Sequence, residues 1–212
     1  MSMADLFGNG RETLTEGAVL LRGFALAEEA ALIAHCLDIA AAAPFRNMVT
    51  PGGFRMSVAM TNCGALGWVT DRRGYRYAPA DPESGGAWPP MPEGFLNSAR
   101  SAAEVAGFPG FTPDSCLINR YQPGARMSLH QDKDEVDFTQ PIVSVSLGLP
   151  AIFQFGGQVR ADRPLRVPLA SGDVVVWGGP ARLAFHGVAP LAAGTHPILG
   201  AARINLTFRK AG

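Results

Sequence analysis

The 212-residue chain is 47% hydrophobic and 17% charged, an ordinary globular composition that can bury one core, and its length favours a single domain over residues 1–212. Its formal net charge is zero, which excludes an overall basic field, so any affinity for nucleic acid must come from local charge. Three scattered cysteines, Cys36, Cys63 and Cys116, with no CxxC pair, argue against a disulfide framework and a thiolate zinc site.

The opening MSMADLFGNG carries Asp5 and lacks a basic-then-apolar signal pattern. Together with the cysteine usage, this gives the expectation of a cytoplasmic protein. The most apolar run, ALAEEAALIAHCLDIAAAAP, is interrupted by Glu28, Glu29, His35 and Asp38, so no membrane span is expected. It reads instead as a helix, rich in alanine, acidic in its first turn and stopped before Pro44. Leu32, Ile33, Cys36, Leu37, Ile39 and Ala40 recur at helical spacing and are expected to face the core.

From Phe45 to Pro92 glycine and proline are frequent, predicting short strands and loops. The segment carries Trp68, Tyr75, Tyr77 and Trp88, and is read either as a binding surface or as a satellite core. Between Pro44 and Ala80, Arg46, Arg55, Arg72, Arg73 and Arg76 stand against Asp71, a local charge of about +4 that suits phosphate contacts, or else a solvated loop. A second helix is predicted over Glu93 to Ala106, before Gly107. From Cys116 onward eight short runs, CLINRYQP, RMSLHQ, IVSVSLGL, AIFQFGG, LRVPLA, GDVVVWGG, RLAFHGV and RINLTFR, are separated by turn residues. Strands at that spacing predict a sandwich, barrel or jelly roll.

Within these runs His130 and Asp132 lie two residues apart, so on a strand or its end they point to one side. His186 follows 54 residues after Asp132. Two imidazoles and one carboxylate form a facial set that holds Fe(II) and leaves adjacent positions for a chelating cosubstrate and oxygen. The motif HxD alone is weak; its place between strands, the later histidine and the arginines that follow strengthen it. In ARINLTFRK, Ile204, Leu206 and Phe208 share one strand face while Arg203, Asn205, Thr207 and Arg209 share the other. The polar face looks either at water or at an anion. A dicarboxylate such as 2-oxoglutarate would need cations, and Arg203 and Arg209 could serve its two ends. Asn119 and Tyr121, again two apart, could add donors or play a structural part. Thr207 has no assigned role at this level.

LINRYQPGARMSLHQDKDE, PIVSVSLGLPAIFQFGG, GDVVVWGGPARLAFHGV and RINLTFR, with the upstream PFRNMVTPGGFRMSVAMTNCG, LGW and YRY, resemble the AlkB family of Fe(II)/2-oxoglutarate-dependent nucleic-acid dioxygenases. The resemblance runs from about Gly17 to the end, and HQDKDE and RxNxTFR are its most specific parts. It implies a mainly β fold with flanking helices: a double-stranded β-helix (a cupin-like jelly roll) over 93–212, a nucleotide-recognition lid over 45–92, and an N-terminal extension with a helix over 1–44. It implies His130, Asp132 and His186 as iron ligands, and Asn119, Tyr121, Arg203, Asn205 and Arg209 as the 2-oxoglutarate set. Trp68 and Tyr75 would enclose the damaged base, Asp134 would face its exocyclic amino group, and Arg160 would stand near it. The implied activity is oxidative repair of 1-methyladenine and 3-methylcytosine with Fe(II), 2-oxoglutarate and O2, releasing formaldehyde and succinate. The implied partner is alkylated DNA, preferentially single-stranded, with RNA as a second candidate, bound by a monomer. Phe54 stands where tyrosine is expected, which removes a hydroxyl from the lid, and residues 69–73 are placed to tune substrate choice. A 2-oxoglutarate oxygenase with another substrate and a silent jelly-roll binding module remain the alternatives.

Overall fold

Strand alternation between two different interiors organises the chain. The computed structural model describes residues 10–212; residues 1–9, most of the opening segment MSMADLFGNG, lie outside the described residues. In chain order the elements are β1 (Arg11–Thr15), β2 (Ala18–Leu21), α1 (Glu29–Ala42), β3 (Ala59–Gly64), β4 (Gly67–Asp71), β5 (Gly74–Ala78), α2 (Glu93–Ala106), β6 (Ser115–Tyr121), β7 (Met127–His130), β8 (Ile142–Gly148), β9 (Ala151–Phe155), β10 (Leu165–Leu169), β11 (Val174–Trp177), β12 (His186–Val188) and β13 (Arg203–Arg209). All eight β runs read from the sequence after Cys116 form strands.

A seven-stranded antiparallel sheet runs β1-β2-β11-β8-β13-β6-β3, and a four-stranded sheet runs β10-β9-β12-β7. Two cores result. One cluster lies between the sheets and joins Leu117, Val175 and Trp177 of the large sheet to Phe153, Phe155, Val167 and Val188 of the small one. The other lies between the large sheet and the two helices, where Ile33, Cys36, Phe95 and Ala99 meet Val143, Val145, Ile204, Leu206 and Phe208. Ile204, Leu206 and Phe208 are at most 1% exposed, so each contributes about 1.5–3 kcal/mol by burial. The three cysteines are free and buried.

Helix α1 departs from the sequence reading in two places. The chain first makes a short 3-10 turn at Leu26–Glu28 before the α-helix begins at Glu29. Leu37, expected in the core, is exposed, because the buried stripe is Leu32, Ile33, Cys36 and Ile39 and Leu37 falls just beyond its Ile33 edge; Ala40 is half-buried. Helix α2 has the predicted bounds and ends on Gly107, whose φ of +98° supplies the left-handed cap. Among the described residues no helix is long and apolar enough to cross a membrane.

The hairpin β1–β2 has no counterpart in the sequence reading. β2 is wholly buried and pairs with β11, so it extends the large sheet, while β1 is the exposed edge. The segment 45–92 splits in use: β3 is an edge strand of the large sheet, and β4 and β5 form a separate two-stranded hairpin over the opening between the sheets. Trp88 belongs to the core, whereas Trp68 and Tyr75 line the cavity.

Candidate active site

β7 and β12 are antiparallel neighbours, and their register sets His130 directly opposite His186. The rings lie 4.4 Å apart between centroids. His130 ends its strand, and Asp132, two residues further, turns its carboxylate back toward both imidazoles. Asp132 Oδ1 is 3.7 Å from His130 Nε2, and Oδ2 is 3.7 Å from His186 Nε2. The three candidate ligand atoms all lie within 4.8 Å of one another.

The protonation pattern suits a metal. His130 Nδ1 lies 2.9 Å from the Ser128 carbonyl and His186 Nδ1 lies 3.0 Å from the Ala184 carbonyl. A carbonyl accepts only from N–H, so both Nδ1 atoms carry the proton and both Nε2 lone pairs face the cluster. Burial, aided by the neighbouring His130, pushes His186 down to about 4, which keeps it neutral at neutral pH. Burial raises the Asp132 carboxyl, but Arg209 and the two histidines outweigh it and hold Asp132 below the usual carboxylate range. Two imidazole Nε2 atoms and an ionised carboxylate are the donor types that Fe(II) takes. Trp177, buried on β11, packs its ring 4.9 Å from that of His186.

β13 runs between β6 and β8, and every one of its residues is buried. Its polar face therefore looks into the inter-sheet cavity, not at water. Arg203 is 1% exposed; its Nη2 donates to Ser146 Oγ at 2.9 Å, and its guanidinium carbon lies 5.1 Å from the Tyr121 ring centroid. Its Nε and Nη1 have no hydrogen-bond partner, and no carboxylate among the described residues pairs with it. A buried cation with idle donors is costly unless an anion joins it. This matches the outer carboxylate of 2-oxoglutarate. Arg209 is engaged: its Nε and Nη2 donate to Asp132 Oδ2 at 2.8 and 2.5 Å, while Nη1 is buried without a partner. The residues present thus fit both the metal and the dicarboxylate.

The remaining polar groups show unequal freedom. Asn119 is buried with its Oδ1 unpartnered, and Tyr121 is 2% exposed. Asn205 Nδ2 donates to Ser144 Oγ at 2.8 Å and to the Val145 carbonyl at 3.0 Å, so both its donors are used within the protein. Thr207 donates to Asn205 Oδ1 at 3.0 Å, which gives it the task of orienting that amide.

One cavity of about 850 Å³ is lined by all twelve candidate residues. On its outer side Trp68 and Tyr75 stack at 5.7 Å with 18° between planes. Trp68 Nε1 donates to Asp134 Oδ2 at 2.8 Å, so Asp134 fixes the indole and keeps its other oxygen free. Arg160 lies exposed on the rim, 6.0 Å from the Phe185 ring centroid, and Phe54, 77% exposed, lines the mouth. The local charge read over 44–80 shrinks in the fold. Arg46 is bound by Asp81 and Glu83 just beyond that window, and Arg73 and Arg76 share Asp71. Of that set Arg55 lines the cavity, where Arg126, Lys133 and Arg160 from other loops join it.

Sequence reasoning missed Ser144 and Ser146, although their alternation with valine on β8 marks the same buried face as Arg203 and Asn205. It also missed Glu135 and Arg182, both buried and paired at 3.2 Å. No spacing connects those two; only the fold does.

The 2OG-Fe(II) oxygenase superfamily model matches residues 17–209. The alpha-ketoglutarate-dependent dioxygenase AlkB of Escherichia coli (strain K12) is 59% identical over 213 residues, covering 99% of both chains. The chain belongs to the AlkB family. The solved structure of OsALKBH1 superposes with a TM-score of 0.84 at 31% identity, covering 94% of this chain and 99% of that one. A DNA N(6)-methyladenine demethylase, ALKBH1C of Arabidopsis thaliana, is 34% identical over 171 residues, 68% of this chain and 38% of its own length. The mainly β architecture with two flanking helices is thus the jelly roll of this AlkB-family member, and its cofactor chemistry is that of Fe(II) and 2-oxoglutarate.

Proposed function

We propose that the protein is an oxidative demethylase of N-alkylated bases, with 1-methyladenine and 3-methylcytosine in DNA as substrates. Single-stranded DNA is the preferred form, RNA is a second substrate, and the enzyme acts as a cytoplasmic monomer. The observation that carries this reading is the shared cavity: the His–Asp–His cluster and the idle Arg203 donors lie at its inner end, and the Trp68–Tyr75 pair stands at its outer end.

When bound, Fe(II) with 2-oxoglutarate and O2 supplies hydroxylation of the N-alkyl carbon, the oxo acid leaving as succinate and CO2 and the hydroxymethyl group as formaldehyde. His130, Asp132 and His186 would hold the iron. Arg203 would grip the outer carboxylate, with Asn119 and Tyr121 beside it and Arg209 Nη1 near the metal end. The base must leave its stack to reach this depth, and Trp68 replaces that stacking, worth about 1–3 kcal/mol. These methylated bases are cationic, which suits an aromatic wall and the free oxygen of Asp134. Arg55, Arg126, Lys133 and Arg160 offer the flanking phosphates a cationic rim.

The decisive assay compares formaldehyde release from a panel of methylated oligonucleotides with succinate formation. Equal yields of the two products on 1-methyladenine and 3-methylcytosine are expected. Succinate formed while the methyl stays on every base would reject the nucleic-acid reading and leave an oxygenase with another substrate.

A further inference from the structure

The recognition hairpin and the metal-ligating loop meet at one buried carboxylate. Glu135 lies three residues beyond Asp132 and is 6% exposed. Its Oε1 accepts the Tyr77 hydroxyl at 2.6 Å and lies 3.3 Å from Arg209 Nε. Its Oε2 accepts Arg182 Nη2 at 3.2 Å. Arg209 holds Asp132 Oδ2, and Arg182 Nη1 donates to the Asp132 carbonyl at 2.9 Å, fixing the ligand's backbone as well as its side chain. Two guanidiniums and two carboxylates cancel in charge here, so removing one leaves an uncompensated ion in a dry site.

Tyr77 comes from the opposite side of the opening. It sits on β5, directly across the hairpin from Trp68 on β4. Trp68 bonds Asp134 and Tyr77 bonds Glu135, so two adjacent hairpin side chains clamp two consecutive residues of the loop that carries Asp132. A ring pressed on Trp68 therefore acts on the segment whose Glu135 sets Arg209 against the ligand carboxylate.

We propose that Tyr77 and Glu135 are positioning residues that couple the recognition hairpin to the metal ligand set through Arg209 and Asp132. The identity of the hairpin's occupant rests on the demethylase reading; the coupling of hairpin to ligand set does not. The full chain loaded with Co(II), a redox-silent probe with a visible spectrum sensitive to geometry, tests it. Tyr77→Phe removes one hydroxyl and is expected to weaken Co(II) binding roughly three- to tenfold and to shift its absorption with no nucleic acid present. Thr70→Val, which also removes one hydroxyl from the same hairpin but on a side chain that bonds the Val49 carbonyl, is expected to keep the wild-type Co(II) affinity and spectrum. Glu135→Gln, which keeps shape and removes charge, should cost more, roughly 10- to 100-fold. A 1-methyladenine oligonucleotide at saturation should shift the wild-type spectrum and leave that of Tyr77→Phe unchanged. Wild-type Co(II) affinity and spectrum in Tyr77→Phe, with and without the oligonucleotide, overturn the proposal. So does a weakened affinity that keeps the full oligonucleotide response, since Tyr77 would then be mere support. If the oligonucleotide fails to bind the wild type by fluorescence anisotropy, the demethylase reading falls, and the Co(II) arm still decides the coupling.

Discussion

Replacing Arg203 should cost the free protein little stability and weaken its hold on 2-oxoglutarate severely. In the free protein this guanidinium is 1% exposed, donates to Ser146, and interacts with Tyr121, with no carboxylate paired to it among the described residues. Exchanging a poorly compensated buried ion for an apolar group of similar volume is neutral or stabilising by about 1–4 kcal/mol. Against that stand the stranded Ser146 hydroxyl, about 1 kcal/mol, and the cation–π contact, about 1–2 kcal/mol. The two sides largely cancel, so Arg203→Met should leave the free protein between about 3 kcal/mol less stable and about 2 kcal/mol more stable, within roughly 12 °C in Tm for a chain of this size. Losing a buried charge-assisted partner should cost 2-oxoglutarate about 2–5 kcal/mol, a Kd weaker by roughly 30-fold to several thousandfold. Thermal unfolding of Mn(II)-loaded protein with and without 2-oxoglutarate, together with calorimetric titration, measures both quantities. A free protein destabilised by more than about 3 kcal/mol, with 2-oxoglutarate affinity within threefold of wild type, would refute the reasoning and make Arg203 a structural residue.

Three further outcomes follow from the same geometry. His130→Ala should reduce Co(II) affinity at least about 100-fold without unfolding the protein, because His130 is partly exposed at a strand end; retained affinity in an equilibrium titration would remove it from the ligand set. Trp68→Ala should weaken binding of a methylated oligonucleotide by about 1–3 kcal/mol, or roughly 5- to 150-fold by anisotropy, while substrate-independent succinate formation persists. Burial, the largest influence on Asp81, raises its carboxyl, but the Arg46 pair and the Glu83 amide outweigh it and leave a folded pKa below the unfolded value. That pair's stabilisation is therefore full above the unfolded aspartate range, near 4, and is lost as pH falls through the lower folded value; in acid unfolding, Arg46→Ala should flatten this part of the stability profile.

Local patterns carried most of the fold. The eight strands after Cys116 announce themselves because turn residues bracket short β-branched runs, and helix α2 is legible from Pro92 to Gly107. The hairpin β1–β2 was not, because RETLT is exposed and only its pairing with the sheet makes AVLL a strand. Leu37 misled because an alanine-rich helix offers many apolar positions and only four of its residues are buried. The site was legible where chemistry needs short spacing, as in His130 and Asp132 or Asn119 and Tyr121. It was illegible where residues distant in sequence exchange charge. Arg46 looked free until Asp81 and Glu83 folded onto it, and Glu135 and Arg182 have meaning only as a pair 47 residues apart.

The polar face of β13 shows why alternation alone could not place the cofactor. A strand of type RINLTFR normally sits half-buried, with its polar side wet. Here both neighbours in the large sheet are long strands, one interior is closed by helices and the other by the small sheet, so both faces are dry. The polar side chains then have to be satisfied internally, and they are, except for Arg209 Nη1 and two of the Arg203 nitrogens. Thr207 bonds Asn205, Asn205 bonds Ser144, and Arg209 bonds Asp132; Arg203 keeps two idle donors. The position that the protein leaves unsatisfied is the position where a bound dicarboxylate gains most, because the cost of desolvating the cation is borne by the fold before the ligand arrives. Arg203, with the most unmet donors on this strand and no carboxylate partner, is thus the group best prepared for such a ligand.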